Sequence, residues 1–459
     1  MTLRDTTDAR PIHFMGIAGA GMSALAELFV MRGIAITGCD SDAAGAERVR
    51  AGGMTVEAGH DPAHVERVRA VVVTSAVRKD HPELLRAKEL GIPVVRRAEA
   101  LAEAVSGSDV VAIAGTHGKT STTVLATEAL ASAGLAPTGL AGARVSDWGG
   151  NILGGDDRLF VVEADEFDRS FLALRPTVAV VTNMEADHLD TYSDIDDIRA
   201  AFAQFAGRAR AIVVCADDEG ASSIPLPATA EIVRYGIASA HARLVATGLR
   251  ESPAGSVFTV MYDGARLGEV ELCMPGRHNV LNALAAIGIG LVLGAKVEQM
   301  RAGLAKCGGA DRRFQRVGEA RGVTVIDDYA HHPTEIRATL QAARASYPGA
   351  RLVVAFQPHL FSRTRDFAPQ FADALAGADA LFLADIYPSR EQPIPGVTSA
   401  LIAAPLRANG RAPAWEGARP RLAAALAAAV RPGDVVITVG AGDVTLTARE
   451  LLDLLGAGE

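Results

Sequence analysis

Short apolar runs alternate with amphipathic stretches along most of the chain, which is typical of parallel βαβ units. The first βαβ unit consists of a strand, a glycine-rich turn, a helix and a second strand, which are predicted over 12–17, 16–21, 22–31 and 34–39. A later strand is predicted over 70–75. The alternation stops at the small polar residues 106–108 and restarts with a strand over 109–114. The pattern therefore predicts an α/β protein with a domain boundary after residue 106.

The middle of the chain departs from this alternation. Asp263-Gly264 lies between two runs of apolar and polar residues, and this dipeptide predicts a β-hairpin. A long apolar helix is predicted over 279–293, and the glycines and paired arginines of 308–315 indicate a second linker. Beyond the linker, strands are predicted over 323–327, 352–356, 380–385 and 435–439. We therefore expect three domains, at 1–106, 107–315 and 316–459.

Composition narrows the class of protein. Of the 459 residues, 49% are hydrophobic and 22% charged, which is enough for packed cores and excludes a disordered chain. Acidic residues outnumber basic ones by 54 to 45, which argues against a main role in binding nucleic acid or anionic membranes. The four cysteines form no CxxC pair and no cluster with histidine in the sequence, which disfavours a zinc module or a disulfide scaffold. We expect no signal peptide, no membrane span and a cytoplasmic location.

The strongest chemical signal is GTHGKTST at residues 115–122, between an apolar strand and a helix. Glycines let backbone N–H groups converge at a helix N-terminus, Lys119 adds a positive charge, and Thr120 offers a hydroxyl to a magnesium ion. These features suit the phosphate chain of ATP. Ile113 stands where the usual spacing has a glycine, so the loop is a shortened variant. The alternative is a plain strand–turn–helix with an exposed lysine.

Two acidic turns follow strands in the same segment. The sequence EADE at 163–166 ends one apolar strand, and EADH at 185–188 follows the next. Carboxylates at this edge of an α/β sheet can hold a magnesium ion beside a triphosphate. Either turn alone is better explained as a solvated loop or a helix cap, but two such turns in the segment that carries the glycine loop favour a metal site.

The N-terminal segment GIAGAGMSA at 16–24 has more than one interpretation. From Gly19 it fits G-x-G-x-x-A, and Asp40 ends the second strand about 20 residues later, as in a dinucleotide fingerprint. A nicotinamide-dependent oxidoreductase is therefore one interpretation, and a tight turn that serves packing alone is another.

In the third domain, the segments DDYAHHP at 327–333 and FQPHLFSRT at 356–364 follow two predicted strands. Aspartates beside histidines are compatible with a metal site, but side chains adjacent in sequence rarely converge on one ion. Polar residues gathered at strand ends fit a substrate pocket better.

The chain resembles the Mur ligases, and within them the alanine-adding branch, in eight segments that occur in the same order: HFMGIAGAGMS, GTHGKTSTT, EADEFDRSFL, TNMEADHLDTY, PGRHNVLNALAA, DRRFQ, DDYAHHPTEI and FQPHLFSRT. The resemblance implies a Rossmann-like UDP-binding domain, a central P-loop ATPase domain with a mixed sheet, and a C-terminal Rossmann-like α/β domain. It implies a cytoplasmic enzyme, a monomer or weak dimer, that uses ATP and Mg²⁺ to join L-alanine to UDP-N-acetylmuramate through an acyl phosphate.

The resemblance also assigns roles residue by residue. The implied contacts to the UDP-sugar are Gly19, Gly21, Met22, Ser23, Asp40, His60, Ser75 and Arg97. The implied contacts to ATP are Gly115, Thr116, His117, Gly118, Lys119, Thr120, Ser121, His278, Asn279, Asn282, Arg313 and Asp328, with Asp327 an alternative to Asp328. The implied metal ligands are Thr120, Glu163 and His188. The implied catalytic residues are Lys119, His188, His331 and Arg363, and Tyr329 and His359 are expected beside the last two at L-alanine and the muramyl carboxylate.

Two departures from the branch bear on these roles. Leu360 and Phe361 stand where Arg-Tyr is common after the FQPH histidine, so Arg363 or Arg365 is expected to supply the missing cation. Other Mur ligases use a carbamylated lysine shortly after the DH pair, and residues 188–210 contain no lysine, as in the alanine-adding branch.

Other functions stay open at this point. The nearest rival is the ligase that adds a whole tripeptide to UDP-N-acetylmuramate. A folate-polyglutamate-type ligase would lack the N-terminal glycine domain, and an oxidoreductase would bind NADH. A non-enzymatic nucleotide switch would leave the motifs on three domains without a purpose.

Overall fold

The computed structural model describes residues 2–51, 53–74, 76–187, 191–389 and 391–457. Within these residues the strands form three sheets, which confirms the predicted α/β class. The chain divides into two compact units. The first consists of Met1–Gly248, Phe258–Glu271 and Leu281–Ala310, and the second of Leu249–Val257, Leu272–Val280 and Asp311–Glu459.

The N-terminal sheet has the doubly wound order β3-β2-β1-β4-β5, with parallel pairing throughout its described strands. Its strands are β1 (Ile12–Met15), β2 (Ile36–Asp40), β3 (Thr55–Ala58), β4 (Ala70–Val73) and β5 (Val94–Arg96). Its helices are α1 (Ala20–Met31), α2 (Ala43–Ala51), α3 (Pro82–Glu89) and α4 (Arg97–Ala104). The strand order reverses at β1, and ligands of such sheets bind at the carboxyl ends of the strands beside that point. The predicted glycine turn follows β1 at this place.

The central sheet is mixed, as predicted, with the order β15-β14-β13-β12-β11-β10-β6-β9-β7-β8. Its strands are β6 (Asp109–Ala114), β7 (Thr138–Val145), β8 (Gly150–Leu153), β9 (Leu159–Glu163), β10 (Val178–Val181), β11 (Ala211–Cys215), β12 (Glu231–Gly236), β13 (Leu244–Ser252), β14 (Gly255–Tyr262) and β15 (Ala265–Leu272). The associated helices are α5 (Lys119–Ser132), α6 (Ile195–Ala206), α7 (Glu219–Ser222), α8 (Arg277–Val292) and α9 (Val297–Lys306). The hairpin prediction is confirmed, because Asp263 and Gly264 join β14 to β15 with φ of 48° and 79°.

The C-terminal sheet has the order β16-β17-β21-β18-β19-β20, and β16 pairs antiparallel with β17 while the other strands pair in parallel. Its strands are β16 (Gln315–Ala320), β17 (Val323–Asp328), β18 (Leu352–Phe356), β19 (Ala380–Ala384), β20 (Trp415–Gly417) and β21 (Val435–Val439). The helices around it are α10 (Pro333–Ser346), α11 (Phe361–Leu375), α12 (Ala400–Ala408), α13 (Leu422–Ala429) and α14 (Thr445–Gly456).

The N-terminal and central sheets share one compact unit because α1 packs against β7 and β8. Phe14, Phe29 and Phe160 belong to one hydrophobic core and are fully buried. Asn151 on β8 also donates from Nδ2 to the carbonyl oxygen of Ala20, at 3.0 Å. Among the described residues, no helix combines the length and apolarity needed to cross a bilayer.

Candidate active site

The glycine loop after β6 has a backbone that other residues would not tolerate. Gly115 and Gly118 have φ of 138° and 81°, and α5 begins directly after Gly118. A Cβ at Gly115 would lie 2.0 Å from Thr182 Oγ1, and one at Gly118 would lie 2.7 Å from Asn282 Oδ1. The first N–H groups of α5, at Lys119 to Ser121, have no acceptor within the helix and form a cradle suited to an anion.

The loop is anchored to the chain segment that leaves β10. Thr182 donates from Oγ1 to the carbonyl oxygen of His117 at 2.6 Å. Asn183 accepts from the His117 N–H at 2.7 Å and donates from Nδ2 to the carbonyl of the same residue at 3.0 Å. Thr116 Oγ1 accepts the N–H of Glu185 at 2.9 Å. Thr182 and Asn183 begin the TNMEADH segment, but the sequence alone indicates no role for either residue.

Lys119 is held inside the loop by a carboxylate. Its Nζ donates to the carbonyl oxygen of Gly115 at 2.6 Å and to Glu166 Oε2 at 2.8 Å. Burial disfavours the charged lysine, but the carboxylates of Glu166 and Asp165 outweigh it and raise the pKa of Lys119. The lysine is therefore a cation at neutral pH. Glu166 is 3% exposed, and its pairing with Lys119 is not predicted by the sequence, where it is one of the candidate carboxylates at 163–166.

Oxygen donors suited to a divalent cation lie at two points of this unit. Glu163 ends β9, the strand that pairs with β6, and its carboxylate accepts the N–H of Gly142. A Cβ at Gly142 would lie 2.5 Å from Glu163 Oε2, so the glycine leaves room for the carboxylate. Thr120 lies in the first turn of α5 and is buried. Carboxylate and hydroxyl oxygens are ligands that Mg²⁺ prefers, so both residues fit it. His188, the third predicted ligand, lies outside the described residues.

The helix predicted to lie on the adenine side begins at Arg277. Asn282 accepts from Thr122 Oγ1 at 3.2 Å, which brings α8 to the glycine loop. At the start of the helix, Asn279 donates from Nδ2 to the carbonyl oxygen of Pro275 at 2.8 Å. Burial, with a smaller contribution from Arg313, lowers the pKa of His278 to about 4.

This shift makes stability depend on pH. Because the unfolded chain binds a proton at His278 near the ordinary pKa of 6.5 and the folded chain only near 4, stability is lost as pH falls through this range. Between pH 7 and pH 5, the unfolding free energy of the wild type should therefore fall by about 2 kcal/mol more than that of His278→Gln. Urea unfolding at both pH values measures it. The exposed His241→Gln is the control, and an equal effect of both substitutions would contradict the assignment.

The N-terminal turn is organised by Asp40. Its Oδ2 accepts the N–H of Ala18 at 2.9 Å, and its Oδ1 accepts the N–H of Asp42 at 2.9 Å. The turn passes through Gly19, which precedes α1. Met22 is 2% exposed, and its side chain belongs to the hydrophobic core. Ser23 donates to the carbonyl oxygen of Ala20 at 3.0 Å. Ser75 lies outside the described residues.

Arg97 reaches the same turn from the start of α4. A Cβ at Gly21 would lie 2.9 Å from Arg97 Nη1, so the glycine makes space for the guanidinium. Arg97 also lines a cavity of about 160 Å³ together with Asp168 and Arg169. Those two residues have φ of 53°, a conformation that is costly for residues other than glycine. Both lie in the EADEFDRSFL segment, but the sequence alone does not indicate them as site residues.

In the second unit, the two adjacent aspartates of β17 accept hydrogen bonds from different groups. Asp327 accepts from Arg312 Nε at 2.9 Å and from the hydroxyl of Thr438 at 2.6 Å. Asp328 accepts the backbone N–H groups of Phe314 at 2.7 Å and Ala330 at 2.8 Å. Burial raises the pKa of Asp328 to about 6.

The predicted substrate residues of this unit lie together. The rings of Tyr329 and His331 are 5.3 Å apart, and those of His331 and His359 are 6.1 Å apart. The guanidinium of Arg313 lies over the Tyr329 ring at 5.2 Å. Burial lowers the pKa of His331 to about 4, so its imidazole is neutral at pH 7. The structure thus gathers four of the predicted residues around one aromatic cluster.

Leu360 stands where the alanine-adding branch commonly has an arginine. It has a φ of 72° and directly precedes α11. Of the two arginines that could replace the missing cation, Arg365 is paired with Asp366 at 2.7 Å on the surface. Arg363 lies two residues nearer to the strand end, and its charge contributes to lowering the pKa of His331. Arg363 is therefore the arginine that the structure places closer to the aromatic cluster.

Three family models match this chain: "Mur ligase family, catalytic domain" over residues 11–109, "Mur ligase middle domain" over 113–290 and "Mur ligase, glutamate ligase domain" over 312–442. The chain is 46% identical over 452 residues to a UDP-N-acetylmuramate–L-alanine ligase of Acidothermus cellulolyticus, covering 96% of this chain and 94% of the relative. It is 45% identical over 442 residues to the ligase of the same name from Nitratidesulfovibrio vulgaris, covering 95% and 97%.

Solved structures agree with these relatives. The crystal structure of the UDP-N-acetylmuramate–alanine ligase of Thermotoga maritima matches with a TM-score of 0.85 at 29% identity, covering 98% of this chain and all of that one. A murein peptide ligase of Psychrobacter arcticus, at 24% identity and a TM-score of 0.72, shares the fold. Family models cover all three sheets, and full-length relatives are well above 30% identical. This chain therefore belongs to the Mur ligase family.

Proposed function

We propose that the protein joins L-alanine to the lactoyl carboxylate of UDP-N-acetylmuramate, with cleavage of ATP to ADP and phosphate, through an acyl phosphate. The observation that carries the proposal is the glycine cradle at the start of α5 with the charged Lys119 inside it. A carboxylate does not acylate an amine because its leaving group would be oxide, and phosphorylation supplies a leaving group. The near-full-length similarity to ligases of this name supports these substrates.

In this proposal the first unit binds the UDP-sugar and the phosphates of ATP. Gly115 to Ser121 surround the phosphates of ATP, and Asn282 holds the loop from α8. Phosphoryl transfer depends mainly on positioning and on neutralising charge, which is the role of Lys119. Mg²⁺ would be held by Thr120, Glu163 and His188, and it would neutralise phosphate charge when bound.

The UDP-sugar is proposed to bind at the N-terminal turn. The contacts would be Gly19, Gly21, Met22, Ser23, Asp40, His60, Ser75 and Arg97. Gly19 and Asp40 lie beside β1, the strand at which the strand order reverses, and this location supports the placement. The orientation of Arg97 toward Gly21 supports it as well.

The second unit is proposed to handle the amine and the muramyl carboxylate. Attack requires neutral amine, because an ammonium group has no lone pair, and we assign the acceptance of that proton to His331, which lies between Tyr329 and His359. The pKa of this imidazole is low in the chain without substrates, so the role requires that the negative charges of the bound carboxylate and phosphate raise it. Tyr329, His359 and Arg363 would frame the two substrates. The proposal keeps the domain boundaries at 106/107 and 315/316, a cytoplasmic location, and a monomer or weak dimer.

Phosphate release with a panel of acceptors tests the function. With ATP, Mg²⁺ and UDP-N-acetylmuramate, we expect release with L-alanine, weaker release with glycine and L-serine, and little with the tripeptide L-alanyl-γ-D-glutamyl-diaminopimelate. A mass spectrum of the product should show the added alanine. Preference for the tripeptide would favour the nearest rival, and enhanced NADH fluorescence on titration would favour an oxidoreductase.

The arginines after Leu360 give a separate prediction. We expect Arg363→Ala to raise KM for UDP-N-acetylmuramate about tenfold. The substitution removes one charge-assisted contact, and a loss of about 1.4 kcal/mol of binding free energy corresponds to a tenfold change in affinity. Arg365→Ala is the matched control, because Arg365 is already paired with Asp366. Initial rates at saturating ATP and L-alanine measure KM. A larger effect of Arg365→Ala would reverse the assignment.

A further inference from the structure

Six side chains able to bind a metal meet on one face of the N-terminal sheet, and we call them the histidine–cysteine cluster. They are His13, Cys39, His60, His64, His81 and Glu83. They come from β1, β2, the segment after β3 and the start of α3. The proposed ligase reaction uses His60 alone among them.

Four members of the cluster lie close enough to share one ion. The ligand atoms of His13, Cys39, His64 and Glu83 are all within 4.8 Å of one another. Cys39 Sγ is 3.3 Å from His13 Nε2 and 3.3 Å from Glu83 Oε1, and His64 Nδ1 is 2.8 Å from the same oxygen. Ligand atoms around a tetrahedral zinc ion are about 3.3 to 3.8 Å apart. The cluster needs only small side-chain movements to reach that geometry.

Glu83 gives the cluster a negative charge inside the protein. Its side chain is 0% exposed. In the part of the chain that the structure describes, its ion-pair partners are His60 and His64, and no lysine or arginine is among them. The N–H of Asp61 donates to its Oε1 at 3.0 Å, and His64 Nδ1 lies 2.8 Å from the same oxygen. A buried carboxylate is usually paired with a cation or bound to a metal.

His13 is prepared to act as a ligand. Thr37 Oγ1 lies 3.0 Å from Nδ1, while Nε2 faces Cys39 Sγ. Metal-binding histidines commonly have such a partner on the nitrogen that does not bind the metal, because it fixes the ring and the tautomer.

We propose that His13 Nε2, Cys39 Sγ, His64 Nδ1 and a Glu83 carboxylate oxygen bind one Zn²⁺ ion. Two imidazoles, a thiolate and a carboxylate form a donor set that suits zinc in a tetrahedral site. Binding converts the Cys39 thiol to a thiolate and releases its proton to solvent. The proposal does not depend on the ligase reaction.

Such an ion would stabilise the backbone that carries the predicted UDP-sugar site. It would tie β1 and β2 to the 3₁₀ turn at Pro62–Val65 and to α3. The carbonyl oxygen of Cys39 accepts the N–H of Gly16 at 2.8 Å and that of Ile17 at 3.2 Å, so the ligand and the glycine turn share one backbone segment. Residue 40, the aspartate that organises the turn, directly follows the cysteine.

Cobalt binding tests the proposal on the full chain without substrates. After removal of metal by a chelator and dialysis, we expect one Co²⁺ per chain, with visible bands of a tetrahedral site and a thiolate-to-cobalt charge-transfer band. Zn²⁺ should displace it. Cys39→Ser should lose the charge-transfer band, whereas Cys273→Ser, at an exposed cysteine outside the cluster, should keep it.

A second variant separates metal binding from folding. His64→Asn changes a side chain that is 19% exposed, and circular dichroism before metal addition checks its fold. We expect its affinity for Zn²⁺ to fall at least about tenfold and the rise of Tm with Zn²⁺ to be lost. Absence of cobalt binding by the wild-type chain, or a cobalt spectrum unchanged in both Cys39→Ser and His64→Asn, would overturn the proposal.

Discussion

Lys119→Ala is expected to lower kcat for phosphate release by about 10²- to 10³-fold, the usual cost of removing one group that stabilises charge in the transition state. The lysine is the cation that the structure places inside the glycine cradle. In this structure it is paired with Glu166, so a bound triphosphate would have to compete with that carboxylate. Initial rates with saturating ATP, UDP-N-acetylmuramate and L-alanine measure the effect.

The same substitution is expected to destabilise the fold, which calls for a second variant. Removing Lys119 leaves the buried Glu166 without its cation, and breaking a buried pair in this way costs about 3 kcal/mol. The double variant Lys119→Ala with Glu166→Gln removes the orphaned charge, so it should recover stability and stay inactive. Lys306→Ala, at the exposed end of α9, should match the wild type. Recovery of activity in the double variant would show that the loss arose from misfolding.

Gly118→Ala is the second substitution with a large expected effect. Alanine at a φ of 81° costs about 1 kcal/mol, and its Cβ would press on Asn282 Oδ1 at 2.7 Å. The loop would then move relative to α8. Because a displacement of about 1 Å from a reactive geometry costs about 10²-fold in rate, we expect a loss of that order in kcat/KM for ATP.

Gly134→Ala provides a matched control at the other end of α5. Gly134 has a φ of 82°, and nothing lies within 4 Å of the position its Cβ would take. Both variants should lose the stability that alanine costs at this backbone conformation, and Gly118→Ala should lose more because of its contact with Asn282. Only Gly118→Ala should lose activity. Equal activity of the two variants would mean that the loop geometry does not matter to the reaction.

Strands with long apolar runs could be predicted closely from the sequence. The strands over 109–114, 352–356 and 435–439 have the predicted bounds, because each is buried on both faces and flanked by polar residues. The strand β16, with the sequence QRVGEA, was not predicted. It lies at a sheet edge and is only partly buried, so its sequence has no clear apolar alternation.

The candidate site could be predicted where its parts lie in one segment. The glycine loop and Lys119 were found because backbone, charge and hydroxyl occur within eight residues. The sequence does not show which acidic residue at 163–166 pairs with Lys119. The pairing depends on the path of the chain after β9, the strand that lies beside β6. The histidine–cysteine cluster escaped prediction because its members are spread over residues 13 to 83 and meet only in the folded sheet.

Transfer of ¹⁸O tests the central claim most directly. If both oxygens of the lactoyl carboxylate of UDP-N-acetylmuramate carry ¹⁸O, an acyl phosphate requires that one passes to inorganic phosphate and one stays in the new amide. We predict one ¹⁸O in each released phosphate, seen by mass spectrometry, with L-alanine, ATP and Mg²⁺ present. Release of unlabelled phosphate, or label in AMP, would contradict the claim that this chain activates the carboxylate by phosphorylation.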